Sequence, residues 1–326
     1  METSQGARLQ DEYPSGMTFS QSVKSEILKS VRNLKGCCAA SFLTAVLKSV
    51  GSMTLDSNGY AFCLESDNED LLTICQNLSF SELNTVADMS SSVNAKDKTV
   101  FHCNFDGDIG QKLGLTSRDS DGALIFGELN SLFPTKPCCL RAFLQGLFVA
   151  CGSVVIPTET LGTDTVDKAK YHLELRFTDA AFAKAVSEAY SELSFRLTPR
   201  KNSVILYLKD SEKIADFLVY VNAMTAKLKL ELVLVARSVR NDSNRQTNCT
   251  VANIEKSIAA ASKQLQAIAT LKSMGVFDGL ADNLKEIALL REKYPESTLD
   301  EIADMLHISK SGANHRFAKL IELSKK

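Results

Sequence analysis

A chain of 326 residues, 44% apolar and 23% charged, has the make-up of a globular protein with room for two or three domains. Its net charge of −2 excludes a global attraction to nucleic acid or to an acidic membrane, so any such affinity has to be local. No apolar run approaches the ~18–20 residues needed to span a bilayer.

Residues 1–18 are polar, lack the basic start and apolar core of a signal peptide, and are expected to form a disordered extension. Met17 is an alternative start, ahead of a helix-like segment from Phe19 to Leu28. The nine cysteines are an odd number without an export signal, which points to reduced thiols in the cytoplasm. Neither a C-x-x-C pair nor histidine at ligand spacing is present, so no metal or other cofactor is expected and the thiols are read as buried or half-buried structural groups.

One stretch occurs twice. Residues 37–53 and 138–154 both open with a Cys pair, place Phe-Leu five residues after the first Cys, and close on Gly-Ser. Repetition at this spacing signals two copies of one unit. In the first copy Phe42, Leu43, Val46, Leu47 and Val50 form one helical face, ended by Gly51. Strands follow at Ser52–Leu55 and Tyr60–Leu64, turned by Ser57-Asn58-Gly59. Asp67 is the expected cap of a helix from about Asn68 to Leu78, before strands at Asn84–Met89 and Thr99–Phe105 and a last helix opened by Asp106. The order is αββαββα. Phe105-Asp106-Gly107-Asp108-Ile109-Gly110 has the glycines of a phosphate loop but no Gly-Lys-Ser/Thr ending, and reads as a strand end and helix cap.

The order returns in the second copy. Helix 138–151 precedes strand Ser153–Ile156, a loop to Asp167 and a half-buried strand Lys170–Phe177. Asp179 caps a helix to about Leu193. Phe195–Thr198 and Ser203–Leu208 make a hairpin around Pro199-Arg200-Lys201-Asn202, and Ser211 is the expected cap of a final helix.

Leu144-Gln145-Gly146-Leu147-Phe148-Val149-Ala150-Cys151-Gly152 resembles the LAGLIDADG helix of homing endonucleases, whose half-unit has this αββαββα order. The resemblance implies two central helices packed along a pseudo-two-fold axis beneath two saddle-shaped sheets, with Ala45 and Gly146 at the close approach. It also implies an acidic metal ligand just before each motif's final glycine. Val50 and Cys151 stand there, and Lys48 and Val149 replace the motif's earlier acid. A hard cation such as Mg²⁺ wants oxygen ligands, so the catalytic positions are lost in both halves. Asp56 and Asp106 lie elsewhere in the unit and do not replace them.

From Ala236 the chain turns polar and Asn-rich. Residues 232–250 are read as a linker, with Arg237, Arg240 and Arg245 as possible phosphate contacts. A helix is expected over about 251–274 and another over Asp282–Lys293, stopped at Tyr294-Pro295. Thr298-Leu-Asp-Glu301 is a capping box. Its helix is followed by a turn at His307-Ile308 and a second helix capped by Ser309, with Ala313, Phe317, Leu320 and Ile321 inward. Ser309, Lys310, Ser311, Asn314, His315 and Lys319 are left on or near the outer face, with Arg316 on its flank. Residues 309–326 carry net +4. A short capped helix, a turn and a second helix with a basic outer face form a helix-turn-helix at about 298–323. Asn314 would read adenine, Lys310 and Arg316 guanine or phosphate, while Lys319, Lys325 and Lys326 would hold phosphates.

A degenerate LAGLIDADG pair followed by this motif resembles the WhiA family. The likeness extends to Phe19-Ser-Gln-Ser-Val-Lys-Ser-Glu-Ile, to Val239-Arg-Asn with Asn248, and to residues 309–316. The fold class expected is therefore α+β: tandem LAGLIDADG-like repeats over 19–120 and 121–231, the linker, then an all-α domain over 251–326. The resemblance implies a sequence-specific DNA-binding regulator tied to sporulation in mycelial actinobacteria, and to cell division and chromosome segregation in other Gram-positive bacteria. Its place would be the cytoplasmic nucleoid.

Charge ranks the roles of the two repeats. Residues 37–105 carry net −5 and residues 138–231 net +1. A saddle gripping DNA along both halves should be basic in both. The first half is therefore expected to face a protein such as RNA polymerase or another regulator, while Arg200 and Lys201, with Arg196, can reach a backbone. The competing readings are an endonuclease with unrecognised metal ligands and an interaction protein with no DNA affinity.

Overall fold

The computed structural model describes residues 17–56, 59–95, 97–121, 123–157 and 170–325. The extension ahead of Met17, most of the loop to Asp167 and Lys326 lie outside them. The chain divides into two compact units, one ending at Arg237 and one beginning at Ser238.

The first unit opens with α1 (Phe19–Val31), whose capping box pairs Thr18 with Gln21. The first repeat then runs α2 (Gly36–Val50), β1 (Ser52–Asp56), β2 (Gly59–Ser66), α3 (Glu69–Leu83), β3 (Ala87–Val93), β4 (Thr99–Phe105) and α4 (Asp108–Lys112). A small hairpin, β5 (Thr116–Arg118) with β6 (Leu124–Phe126), follows and leads toward the second repeat. That repeat is α5 (Pro137–Cys151), β7 (Gly152–Val155), β8 (His172–Phe177), α6 (Ala180–Ala189), β9 (Arg196–Arg200), β10 (Ser203–Leu208) and α7 (Ser211–Tyr220). The expected αββαββα order is present in both copies.

Each repeat forms a four-stranded antiparallel sheet, and the strand orders are equivalent: β1-β2-β4-β3 and β7-β8-β10-β9. Alternation along each strand decides which face is covered. Leu173, Leu175 and Phe177 of β8 are buried while Arg176 between them is exposed. The buried faces rest on α2 and α3 in the first repeat and on α5 and α6 in the second, with α2 and α5 packed against one another at the centre of the core. A Cβ built on Gly146 would lie 2.7 Å from the Phe42 carbonyl oxygen and 2.9 Å from the Ala45 Cβ. The missing side chain is what lets the two backbones approach, as the motif implies.

Several local expectations shift. Asn68, not Asp67, caps α3 by accepting from the Leu71 N–H, and Asp210, not Ser211, caps α7. The third strand begins at Ala87, because Asn84 is the left-handed C-cap of α3 with φ 50°. Gly51 ends α2 at an ordinary φ of −68°. It is required by crowding, since a Cβ there would meet the Leu47 carbonyl oxygen at 2.4 Å. Strands β1 and β2 pair up to Asp56 and Gly59, so the expected Ser57-Asn58 turn falls outside the described residues. The thiols are not all buried or half-buried: Cys37, Cys138 and Cys249 are exposed.

The largest correction concerns residues 232–250. They are not a break between elements but part of one helix, α8 (Met224–Ser273). The second unit completes with α9 (Asp282–Lys293), α10 (Leu299–Met305) and α11 (Lys310–Leu323). Its core is small: Ile268 and Leu271 of α8, Ile287 and Ala288 of α9, Ile302 and Ala303 of α10, and Ala313, Phe317 and Leu320 of α11.

Candidate nucleic-acid interface

Each unit carries one candidate site. In the first, the C-terminal ends of α2 and α5 open into a cavity of ≈ 780 Å³ lined by Lys24, Ser49, Val50, Cys151, Glu174, Arg176 and Asn202, among others. Val50 and Cys151 both line it, at the positions where the motif would place paired acids. Burial pushes the Cys151 thiol up to about 12, despite the opposing pull of Lys24, and it donates to the Leu147 carbonyl at 3.2 Å. Burial likewise holds the Lys24 ammonium below the usual lysine range, with Cys151 and Asp67 pulling it back. Among the described residues Glu174 is the one carboxylate lining the cavity, and it is engaged by His172 at 3.2 Å and by Arg176 at 3.4 Å. Two cations, one spent carboxylate and a neutral thiol suit an anion better than a hard cation. Lys48, at the motif's other acid position, points elsewhere, toward Asp179 at 3.4 Å and over the Phe182 ring. Asp106 is exposed, and the side chain of Asp56 lies outside the described residues.

In the second unit the capping box is formed as the spacing predicts: Glu301 N–H donates to the Thr298 hydroxyl and Thr298 N–H to the Glu301 carboxylate at 2.7 Å. The turn passes through His307 in the left-handed region, φ 53°, where glycine would be less strained. It is held by His307 N–H to the Asp304 carbonyl and Ile308 N–H to the Ala303 carbonyl, both at 3.0 Å. Ser309 then caps α11 through the Gly312 N–H.

Burial along α11 follows the helical period. Ala313, Phe317 and Leu320 are buried, whereas Ser309, Lys310, Ser311, Asn314, His315 and Lys319 are exposed. Lys310 pairs with Asp300 of α10, and Lys319 with Glu322 one turn on at 3.0 Å. Arg316 is half-buried, turned to the Asn283 carbonyl and to Glu286 of α9 at 3.9 Å. That arrangement ties α11 to α9. Asn314 borders a groove of ≈ 360 Å³ whose opposite side is α8, which contributes the exposed Lys256 and Lys263. These two lysines are absent from the sequence-derived set, because a polar helix gives no hint of which neighbour it faces.

Behind the exposed face lies Arg291, buried at 2% exposure. Its Nε donates to Gln264 Oε1 at 2.9 Å, its Nη1 to the Ser297 carbonyl, and its guanidinium stacks over Phe317 at 5.3 Å. One side chain thus ties α8, α9, the segment before α10, and α11. The sequence marks it only as one charge among several on α9.

The remaining predicted cations occupy varied settings. Arg200 and Lys201 are exposed at the β9–β10 turn. Arg237 is half-buried over the Tyr171 ring at 5.4 Å, while Arg240 and Arg245 follow it along α8, the latter exposed.

Comparison with known proteins agrees with this division of parts. Residues 39–101 and 140–240 match the WhiA LAGLIDADG-like domain, and residues 243–324 match the WhiA C-terminal HTH domain. A probable cell division protein WhiA of Carboxydothermus hydrogenoformans is 32% identical, over 95% of this chain and 98% of that protein. A protein of the same description from Enterococcus faecalis is 31% identical, over 95% and 98%. The crystal structure of full-length WhiA from Thermotoga maritima superimposes with a TM-score of 0.56, at 19% identity, covering 95% of this chain and 98% of that one. Two degenerate LAGLIDADG-like repeats and a C-terminal helix-turn-helix, matched along nearly the whole length, show that this chain belongs to the WhiA family.

Proposed function

We propose that the protein is a sequence-specific double-stranded DNA-binding regulator that reads its site through α11, and that its LAGLIDADG-like unit is not a nuclease. The observation that carries this reading is the exposed, basic face of α11, held rigidly behind a capped α10 and a short turn. Lys310, Ser311, Asn314 and His315 lie in the N-terminal half of α11, the part that meets base edges in helix-turn-helix complexes. Lys319 and Lys325 supply phosphate contacts, joined by Lys256 and Lys263 from α8. Arg237, Arg240, Arg245, Arg200 and Lys201 are proposed as secondary backbone contacts.

The first repeat, taken as residues 19–120, carries the acidic balance and is proposed to face a protein partner such as RNA polymerase or another regulator. The second repeat, residues 121–231, serves as the scaffold. By analogy with the relatives' description the cellular role is cell division, with chromosome segregation, and sporulation in organisms that sporulate, as its extensions; the site of action would be the nucleoid.

Gel retardation on genomic fragments recovered by binding-site mapping tests the reading. Changing Lys310, Asn314 and Lys319 together to alanine should abolish specific retardation while leaving the far-UV circular dichroism unchanged. Retention of specific binding by the triple variant sinks the proposal. The nuclease alternative is tested with supercoiled plasmid and Mg²⁺: nicking that survives purification and disappears with chelator would establish it.

A further inference from the structure

The two Cys-Cys pairs are a hundred residues apart in sequence, yet the pseudo-two-fold axis brings them together. Each pair occupies the second and third positions of its helix, Cys37 and Cys38 in α2, Cys138 and Cys139 in α5. The sulfurs of Cys37, Cys38 and Cys139 lie within 4.8 Å of one another. Cys38 Sγ is 3.9 Å from Cys139 Sγ, which is 3.9 Å from Cys138 Sγ, and Cys138 also meets Cys38. Four thiols from two elements therefore form one cluster.

We propose that this cluster is a thiolate site for Zn²⁺, bridging the two repeats. The two closest sulfur pairs, Cys38 with Cys139 and Cys138 with Cys139, stand at the spacing a tetrahedral site needs. With Zn–S bonds of ~2.3 Å, a regular tetrahedron has S···S edges of about 3.8 Å. The ion would draw the exposed Cys37 and Cys138 sulfurs in to complete the tetrahedron, releasing the thiol protons to solvent. Access is open, since Cys37 and Cys138 are exposed whereas Cys38 is half-buried and Cys139 buried. Burial pushes the Cys38 thiol up to about 12 and raises the Cys139 thiol as well, and the helix N-termini act against it. Both sulfur pairs sit in the first turn of 15-residue helices whose N-cap residues, Lys35 and Lys136, provide no side-chain cap. Glu82 takes the Gly36 N–H and pairs with Lys35, leaving the cluster itself without a carboxylate competitor among the described residues. The site lies at the opposite end of α2 and α5 from the cavity, roughly 19 Å away at 1.5 Å per residue, and is independent of the lost catalytic positions. Sequence inspection misses it because no C-x-x-C pair is needed when each half supplies an adjacent pair.

The test uses the full chain, stripped of metal under reducing conditions and then given Zn²⁺ or Co²⁺. One Zn²⁺ per chain should survive gel filtration and raise the Tm, and Co²⁺ should give the intense visible absorption of tetrahedral sulfur coordination. Replacing the two exposed ligands, C37S with C138S, avoids the core and should remove stoichiometric binding and the Tm increase; C249S should leave both intact. A chain that takes up no metal, a Co²⁺ spectrum without sulfur charge transfer, or unchanged binding in the C37S/C138S variant each overturns the proposal. So does a purified protein in which mass spectrometry finds Cys38 and Cys139 already joined as a disulfide with no metal bound.

Discussion

The two units solve the problem of holding helices together in opposite ways. In the first, α2 and α5 meet by removing atoms: Gly146 has no side chain, Ala45 little, and buried apolar side chains surround the close approach. In the second, nine buried apolar residues among those described make a small core for four helices, and a buried arginine with three partners takes the central place. The lesson is that close packing leaves no room for bulk, whereas a small core can be specified by one satisfied polar group.

The largest expected effect breaks the first arrangement. Gly146→Val places a branched side chain against the Phe42 carbonyl and Ala45, and should cost about 3 kcal/mol or more, seen as loss of the cooperative unfolding transition of the first unit. Arg291→Ala attacks the second arrangement. It strands Gln264 and the Ser297 carbonyl beside a cavity, and should cost about 2–4 kcal/mol in urea unfolding, with DNA retardation falling in proportion to the unfolded fraction. Thr298→Ala removes only the α10 cap, for about 1 kcal/mol by the same measurement. The smallest change improves the molecule: His307→Gly relieves the left-handed turn and should stabilise the second unit by about 0.5 kcal/mol, a small rise in its Tm. Equal costs for Gly146→Val and Ala45→Val would sharpen the comparison, by showing the close approach to be symmetric about the pseudo-two-fold.

What the sequence made legible follows from what leaves a local mark. The repeat is written in Cys-Cys, Phe-Leu and Gly-Ser at fixed spacing, and the helix-turn-helix in a capping box and a change of charge, so both were found without coordinates. The continuity of α8 was hidden because Asn241, Asp242, Ser243, Asn244, Thr247 and Asn248 are weak helix formers, and neighbouring turns carry the helix through them. The hairpin of β5 and β6 was missed because its strands are three residues each. The cavity lining, the groove lysines and the thiol cluster share a different reason. Each is assembled from elements far apart in the chain, and only the fold makes them neighbours.

The pairing of α2 with α5 also sets a clock on synthesis. Cys38 and Cys139 are 101 residues apart, so when α2 leaves the ribosome the surface it must cover does not yet exist. At ~5–20 residues per second, Phe42, Leu43, Val46 and Leu47 wait roughly 5–20 s for α5 to be made. During that interval the nascent first repeat presents an uncovered apolar helix, and the newly made chain is most exposed to capture by chaperones or to aggregation just before residue 151 emerges.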